Sequence, residues 1–241
     1  MSGQTVQPHK QIISVEGNIG AGKSTFVQIL RDSIACSDIV SEPVDEWKKI
    51  IDSDGTNIMH KFYSDIPRWA YTFQNLACIT RMMKIESAIN TSDAKFLFLD
   101  RSLGTDKHIF EKMLYDSKQI TELEHVAYNL WADFYHKYVR PEFSNIVIYL
   151  RCNPQTAFSR IQKRAREEES GISLEYLTAL HEYHEKWLIS NPDVNSIVID
   201  CDEDFESNES NKQKIIDQVI QSINSIIKNK FNMCDDQCYK K

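Results

Sequence analysis

Glycine is scarce in this chain. Average usage of about 7% would put roughly seventeen in a protein of this size, yet the 241 residues hold seven, and three of them (Gly17, Gly20, Gly22) fall within six positions. Long apolar runs are missing too. Nothing approaches the roughly 18 residues that a membrane-spanning helix needs, so no helical membrane span is expected. The first ten residues, MSGQTVQPHK, lack the apolar stretch of a secretory signal and the arginine content of a transit peptide. A cytoplasmic protein is expected. Positive charge is in deficit, with 28 Lys+Arg against 35 Asp+Glu for a net −7, and this argues against a protein whose main task is gripping polynucleotide phosphates. The six cysteines are scattered through apparent strands and helices, as expected of reduced thiols rather than a disulfide framework. Cys234 and Cys238 form one isolated pair on a polar tail, a weak signal for pairing or metal.

What is present suits a folded domain. With 41% hydrophobic and 26% charged residues and no linker, repeat or composition break, the chain reads as one domain over residues 1–241, with a core of about 10–230 and a polar tail from 231.

Residues 11–16 (QIISVE) form a β-rich run, the glycine cluster follows, and from Lys23 apolar residues recur at helical spacing. Further strands are expected at 38–42, 95–99, 145–150 and 196–199. Helices are expected at 68–89 behind Pro67, and at 105–114, 122–139, 157–166, 174–189 and 212–230. Alternating strands and helices, with several strands apolar throughout, predict a five-stranded parallel sheet covered by helices on both faces, a three-layer α/β fold. Ligands of such sheets bind beyond the carboxyl ends of the strands. The glycine loop, Glu42, Asp100-Arg101-Ser102, Arg151 and Asp200 should therefore converge on one rim.

Gly17-Asn18-Ile19-Gly20-Ala21-Gly22-Lys23-Ser24, with Thr25 next, matches the P-loop pattern G-x-x-x-x-G-K-[ST]. Its glycines let backbone N–H groups converge on phosphate, Lys23 adds a charge for the β/γ-phosphates, and the Ser24 hydroxyl can hold Mg²⁺. Glu42, in S-E-P-V-D-E-W, is either a base for an attacking hydroxyl or a solvated loop acid. Asp100 can hold Mg²⁺ or its water, with Arg101 steadying the transferring phosphoryl; a structural ion pair is the plain alternative. Arg160, Arg164 and Arg166 read as a lid over phosphates that bends near Gly171, or as a solvated helix paired with Glu167 to Glu169. Trp69, Phe73 and Ala77 recur at i, i+4 and i+8, with Gln74 beside them and Arg81 continuing the stripe. That face is core, or the wall of a pocket for a flat ring. His181 and His184 lack a third ligand and read as ordinary helix residues.

Taken in order, the motifs E-G-N-I-G-A-G-K-S, S-E-P-V-D-E-W, R-W-A-Y-T-F-Q, D-R-S, R-A-R-E-E-E-S-G-I-S-L-E-Y-L, L-H-E-Y-H-E-K-W-L and D-E-D-F resemble those of the deoxyribonucleoside kinase family across about residues 10–230. The resemblance implies transfer of the γ-phosphoryl of ATP or another nucleoside triphosphate to a deoxynucleoside 5′-hydroxyl with Mg²⁺. It also implies a homodimer and a part in nucleotide salvage. By the same resemblance Glu42 is the base and Arg101 its neighbouring arginine, while Tyr63 and Glu169 hold the sugar 3′-hydroxyl. Gln74 bonds the base edge, and Trp69, Phe73 and Phe110 are aromatic walls. Arg160, Arg164 and Arg166 are lid arginines, and Asp204 and Phe205 lie on the loop that cradles the donor base. Arg81 and Asp106 match a pair found in members that prefer deoxycytidine or purine deoxynucleosides to thymidine. The family's usual Glu-Arg-Ser is here Asp100-Arg101-Ser102, one methylene shorter. Two other readings stay open on the same scaffold, a nucleoside monophosphate kinase and a non-catalytic nucleotide-binding subunit.

Overall fold

Alternate residues of the inner strands feed two different cores. Ile13, Val15, Phe96 and Phe98 join one buried cluster with Phe26, Val27 and Leu30, whereas Leu99 joins another with Val40 and Ile85, against which Ile12 packs. A strand shows its side chains alternately to its two faces, so both faces of the sheet are covered.

The computed structural model describes residues 10–139, 146–166, 169, 171–206 and 208–231. The strands are β1 (Gln11–Gly17), β2 (Ser37–Val40), β3 (Phe96–Asp100), β4 (Ile146–Arg151) and β5 (Ser196–Asp200). All pair in parallel in the order β2-β3-β1-β4-β5. The P-loop thus leaves the centre of the sheet. Helix α1 (Lys23–Ser33) follows it, then α2 (Val44–Lys49), α3 (Ile58–Ser64) and the long α4 (Ile66–Thr91). After β3 come α5 (Leu103–Thr105), a π-helical stretch (Asp106–Glu111) and α6 (Lys112–Asp116). Then follow α7 (Glu122–Phe134), a second π-helical stretch (Tyr135–Val139), α8 (Pro154–Arg164), α9 (Leu174–Leu188) and α10 (Glu209–Phe231).

Local signals place these elements. Asp65 caps α4 by accepting the Arg68 N–H, with Pro67 in the first turn; Thr121 and Glu124 form a capping box on α7; Asn153 and Ser173 cap α8 and α9.

Three expectations shift. Strand β2 stops at Val40, so Glu42 lies on the loop beyond it rather than at the strand tip. Helices α2 and α3 were not expected; at six and seven residues they are too short to build a periodic stripe. Helix α8 ends at Arg164, where its cap Ala165 takes the left-handed region (φ 49°), so the chain turns earlier than the bend expected near Gly171. Gly55 takes φ 81° in the turn that its N–H closes onto the Asp52 carbonyl. Cys234, Cys238, Glu167 and Glu168 lie outside the described residues.

Candidate active site

The phosphate loop is shaped by contacts its glycines permit. Gly20 has φ 82° and Gly22 φ 91°, and an added Cβ would lie 2.5 Å from the Ala157 carbonyl oxygen at the first and 2.9 Å from the Phe205 ring at the second. The loop is therefore pressed against α8 and against the segment after β5. Asn18 ties it to α9 by donating to the Leu177 carbonyl at 2.8 Å. Lys23, buried, donates to the Asn18 carbonyl at 2.8 Å. Burial and the Arg101 charge lower its ammonium pKa to about 7, although Asp100, Glu42 and Glu16 pull the other way.

Beside the loop, the Ser24 hydroxyl donates to Asp100 Oδ2 at 2.6 Å, while the buried Asp100 Oδ1 has no hydrogen-bond partner. The next residue, Arg101, is buried in the left-handed region (φ 70°) and lies 5.1 Å above the Phe110 ring. Its Nη1 is also unpartnered. Two buried polar groups left open on one rim mark where a charged ligand would gain most.

Glu42 faces two guanidiniums. Its Oε1 lies 2.8 Å from Arg81 Nη2 and 3.7 Å from Arg101 Nε, and its side chain stays 24% exposed. Burial raises the carboxyl pKa, but the Arg81 and Arg101 charges and the Arg81 hydrogen bond outweigh it and hold Glu42 below the usual carboxylate range. Arg81 is itself gripped from behind. It pairs with Asp106 through Nε–Oδ2 at 2.8 Å and Nη2–Oδ1 at 3.2 Å, and its Nη1 reaches the Asp100 carbonyl at 3.3 Å. Burial works against the Arg81 charge, yet Asp106 and Glu42 raise its pKa well above the ordinary arginine value. It is a permanent cation.

Further along α4, Gln74 is 3% exposed and its Oε1 has no partner. Phe73 stacks on Phe62 (4.7 Å) and meets Trp47 edge-on (5.4 Å), two rings that the sequence reading did not single out. Ala77 is buried in the same cluster, and Trp69 packs at its edge under the Arg68 guanidinium, 4.5 Å from the ring centre. Tyr63 is 49% exposed.

Several expected site residues sit elsewhere or are differently engaged. At the carboxyl ends of β4 and β5, Arg151 is held by Glu185 at 2.7 and 3.0 Å, and Asp200 accepts the Asp202 N–H. Arg160 donates to the Asp202 and Glu203 carbonyls at 3.2 and 3.4 Å, fastening α8 to the segment after β5. Arg164 pairs with Glu169 at 2.7 and 3.0 Å, with Arg166 3.7 Å from the same carboxylate. The residues expected to cover phosphates and to hold the sugar thus neutralise one another here. Phe205 is buried edge-on against Phe26 at 5.7 Å, with its ring against Gly22 of the phosphate loop. Asp204 closes the turn before α10 by accepting the Glu206 N–H.

A family model described as deoxynucleoside kinase matches residues 13–224. The chain is 33% identical over 233 residues to deoxycytidine kinase 2 of Gallus gallus, covering 86% of this chain and 88% of the relative. It is 35% identical over 225 residues to a probable deoxycytidine kinase of Fowlpox virus (strain NVSL), covering 92% and 91%. To the mitochondrial deoxyguanosine kinase of Xenopus laevis it is 31% identical over 224 residues, covering 81% and 83%.

Proposed function

This chain belongs to the deoxynucleoside kinase family, and from that premise we propose that it transfers the γ-phosphoryl of ATP to the 5′-hydroxyl of deoxycytidine or a purine deoxynucleoside in preference to thymidine. Phosphorylation of deoxynucleosides is the family's chemistry and this chain's. The acceptor preference and the residue roles are our reading.

One observation carries it: Arg81, locked by Asp106 and bonded to the Glu42 carboxylate, is buried two helical turns along α4 from the buried Gln74, whose Oε1 has no partner. A buried guanidinium–carboxylate pair offers donors and acceptors to a polar base edge and penalises a base that leaves them unpaired. The relatives named deoxycytidine and deoxyguanosine kinases support the same preference.

For the phosphate, the loop amides and Lys23 supply the cradle and Arg101 offers its open Nη1 to the equatorial oxygens. Glu42, ionised and partly open, accepts the 5′-hydroxyl proton. A carboxylate of low basicity suits that role, because a loose phosphoryl-transfer transition state needs the proton removed only late. Ser24 and Asp100 fit a divalent cation, since the pair presents a hydroxyl oxygen and an orphaned buried carboxylate oxygen together. Mg²⁺ held there would neutralise phosphate charge.

The chain acts as a single kinase domain and pairs with a second copy through α4 and α7. Trp131 on α7 donates through Nε1 to Asn75 on α4, and Tyr135, just beyond α7, donates to Glu86 on α4. They carry exposed Ile79 and Met83 on one and Leu123, Val126, Leu130 and Phe134 on the other, a spread of apolar surface that a partner would cover. Cys36, Cys78, Cys152 and Cys201 are free thiols, in keeping with a reducing, cytoplasmic setting.

The test is a coupled assay of the purified protein with ATP and Mg²⁺ against deoxycytidine, deoxyadenosine, deoxyguanosine and thymidine in parallel. Turnover on the first three above thymidine is expected. A thymidine preference would refute the role given to Arg81 and Asp106, and no turnover on any of the four would refute the activity.

A further inference from the structure

Glu16, the residue before the first glycine of the loop, is wholly buried at the carboxyl end of β1. A carboxylate there loses its hydration, so it needs strong partners. Both lie in one turn of a different element. Oε1 accepts the Ser102 backbone N–H at 3.0 Å, and Oε2 accepts the Thr105 hydroxyl. The turn it grips is the one after β3 that carries Asp100 and Arg101.

That turn is strained at its centre. Arg101 is a non-glycine residue at φ 70°, a conformation that costs of order 1 kcal/mol or more and persists only where its surroundings over-determine it. Here β1 does so from two sides, since the Val15 carbonyl accepts the Arg101 N–H at 3.1 Å while Glu16 holds the residues that follow. The left-handed step turns the chain sharply at the strand end. Asp100 is left against Ser24 at 2.6 Å, and the Arg101 guanidinium lies 3.7 Å from Glu42. Nothing else about Glu16 accounts for a buried acid at that point, where an apolar residue would pack without desolvation cost.

We propose that Glu16 is a positioning residue for phosphoryl transfer, clamping the Ser102 amide and the Thr105 hydroxyl so that Arg101 and Asp100 stay aimed at the transferring group. The proposal rests on the kinase reading above.

Three variants test it. In Glu16→Gln the amide oxygen still accepts from Ser102 and the amide N–H can donate to the Thr105 oxygen, so the clamp survives without its charge. We expect kcat within about threefold of wild type, with both KM values unchanged. Thr105→Val cuts one arm with little change in shape. We expect kcat to fall on the order of tenfold with both KM values unchanged, as for a lost geometric constraint. Glu16→Ala removes both arms, and the soluble, folded fraction should lose on the order of 10²-fold in kcat. Thr105→Val at full kcat, or Glu16→Gln losing as much kcat as Glu16→Ala, would overturn the proposal. Wild-type protein inactive on all four deoxynucleosides would instead overturn the kinase reading on which it rests.

Discussion

Arg81 Nη2 lies 2.8 Å from Glu42 Oε1 while the same guanidinium is held bidentate by Asp106. On the roles proposed above, base recognition and hydroxyl activation share one cation. A base that disturbs Arg81 also disturbs the group that takes the proton, so discrimination will show in kcat and not only in KM.

Glu42→Gln keeps the side chain's shape and removes its ability to take a proton. Turnover should fall by roughly 10²–10⁴ with acceptor affinity little changed. Steady-state kinetics decide it, and near-normal kcat would remove Glu42 from the base role.

Asp106→Asn leaves Arg81 charged, buried and short of its main partner. Breaking a buried pair from one side costs about 3–5 kcal/mol, with the Glu42 contact keeping the loss toward the lower figure. Denaturant titration should report it, together with a reduced preference for deoxycytidine over thymidine.

With its ammonium pKa lowered to about 7, Lys23 is half neutral near neutrality in the free protein. Donor phosphates favour its charged form, so kcat/KM for the donor should fall as pH rises through about 7, while kcat at saturating donor stays flat. Calorimetry in buffers of different ionisation enthalpy should show proton uptake on donor binding above that pH. Lys23→Arg, always charged, should abolish the pH limb; a limb that persists would assign it elsewhere.

Two histidines make the fold sensitive to acid. Burial lowers His184 to about 3 and His108 to about 4, against an ordinary value near 6.5 in the unfolded chain. Below about 6.5 the unfolded state binds protons that the native state refuses, so stability present at neutral pH is lost as pH falls from about 6.5 toward those lower values. Urea midpoints at about pH 7 and about pH 5 should differ, and less so in His184→Phe.

The ion pair of Arg164 with Glu169, at 2.7 and 3.0 Å, occupies both groups before any ligand arrives. If Arg164 moves to phosphate and Glu169 to sugar, the pair must open when donor and acceptor are both bound. A crystal structure of that complex with the pair still closed would contradict the lid reading. Glu169→Gln should raise the acceptor KM more than the donor KM.

Motifs with a fixed backbone chemistry were legible in the sequence. The P-loop could be read because glycines at 17, 20 and 22 have few other uses in so glycine-poor a chain, and α4 because 26 residues give several turns of pattern. Glu16 could not, because its partners Ser102 and Thr105 are more than eighty positions away and only the β1–β3 pairing brings them near. The aromatic wall was half visible: Phe73 lies on a long helix, whereas Trp47 and Phe62 lie on helices too short for periodicity. Arg160 and Arg164 share a face by spacing, but spacing says nothing of which loop that face meets. The π-helical stretch at 106–111, which carries both Asp106 and Phe110, has no composition that marks it.

The left-handed backbone at Arg101 sets stability and turnover against each other at one position. Glycine or asparagine would sit there more comfortably. A screen that rewards heat resistance alone would drive residue 101 toward them and return robust, inactive protein, while a lineage that keeps arginine there is one in which turnover has been under continuous selection.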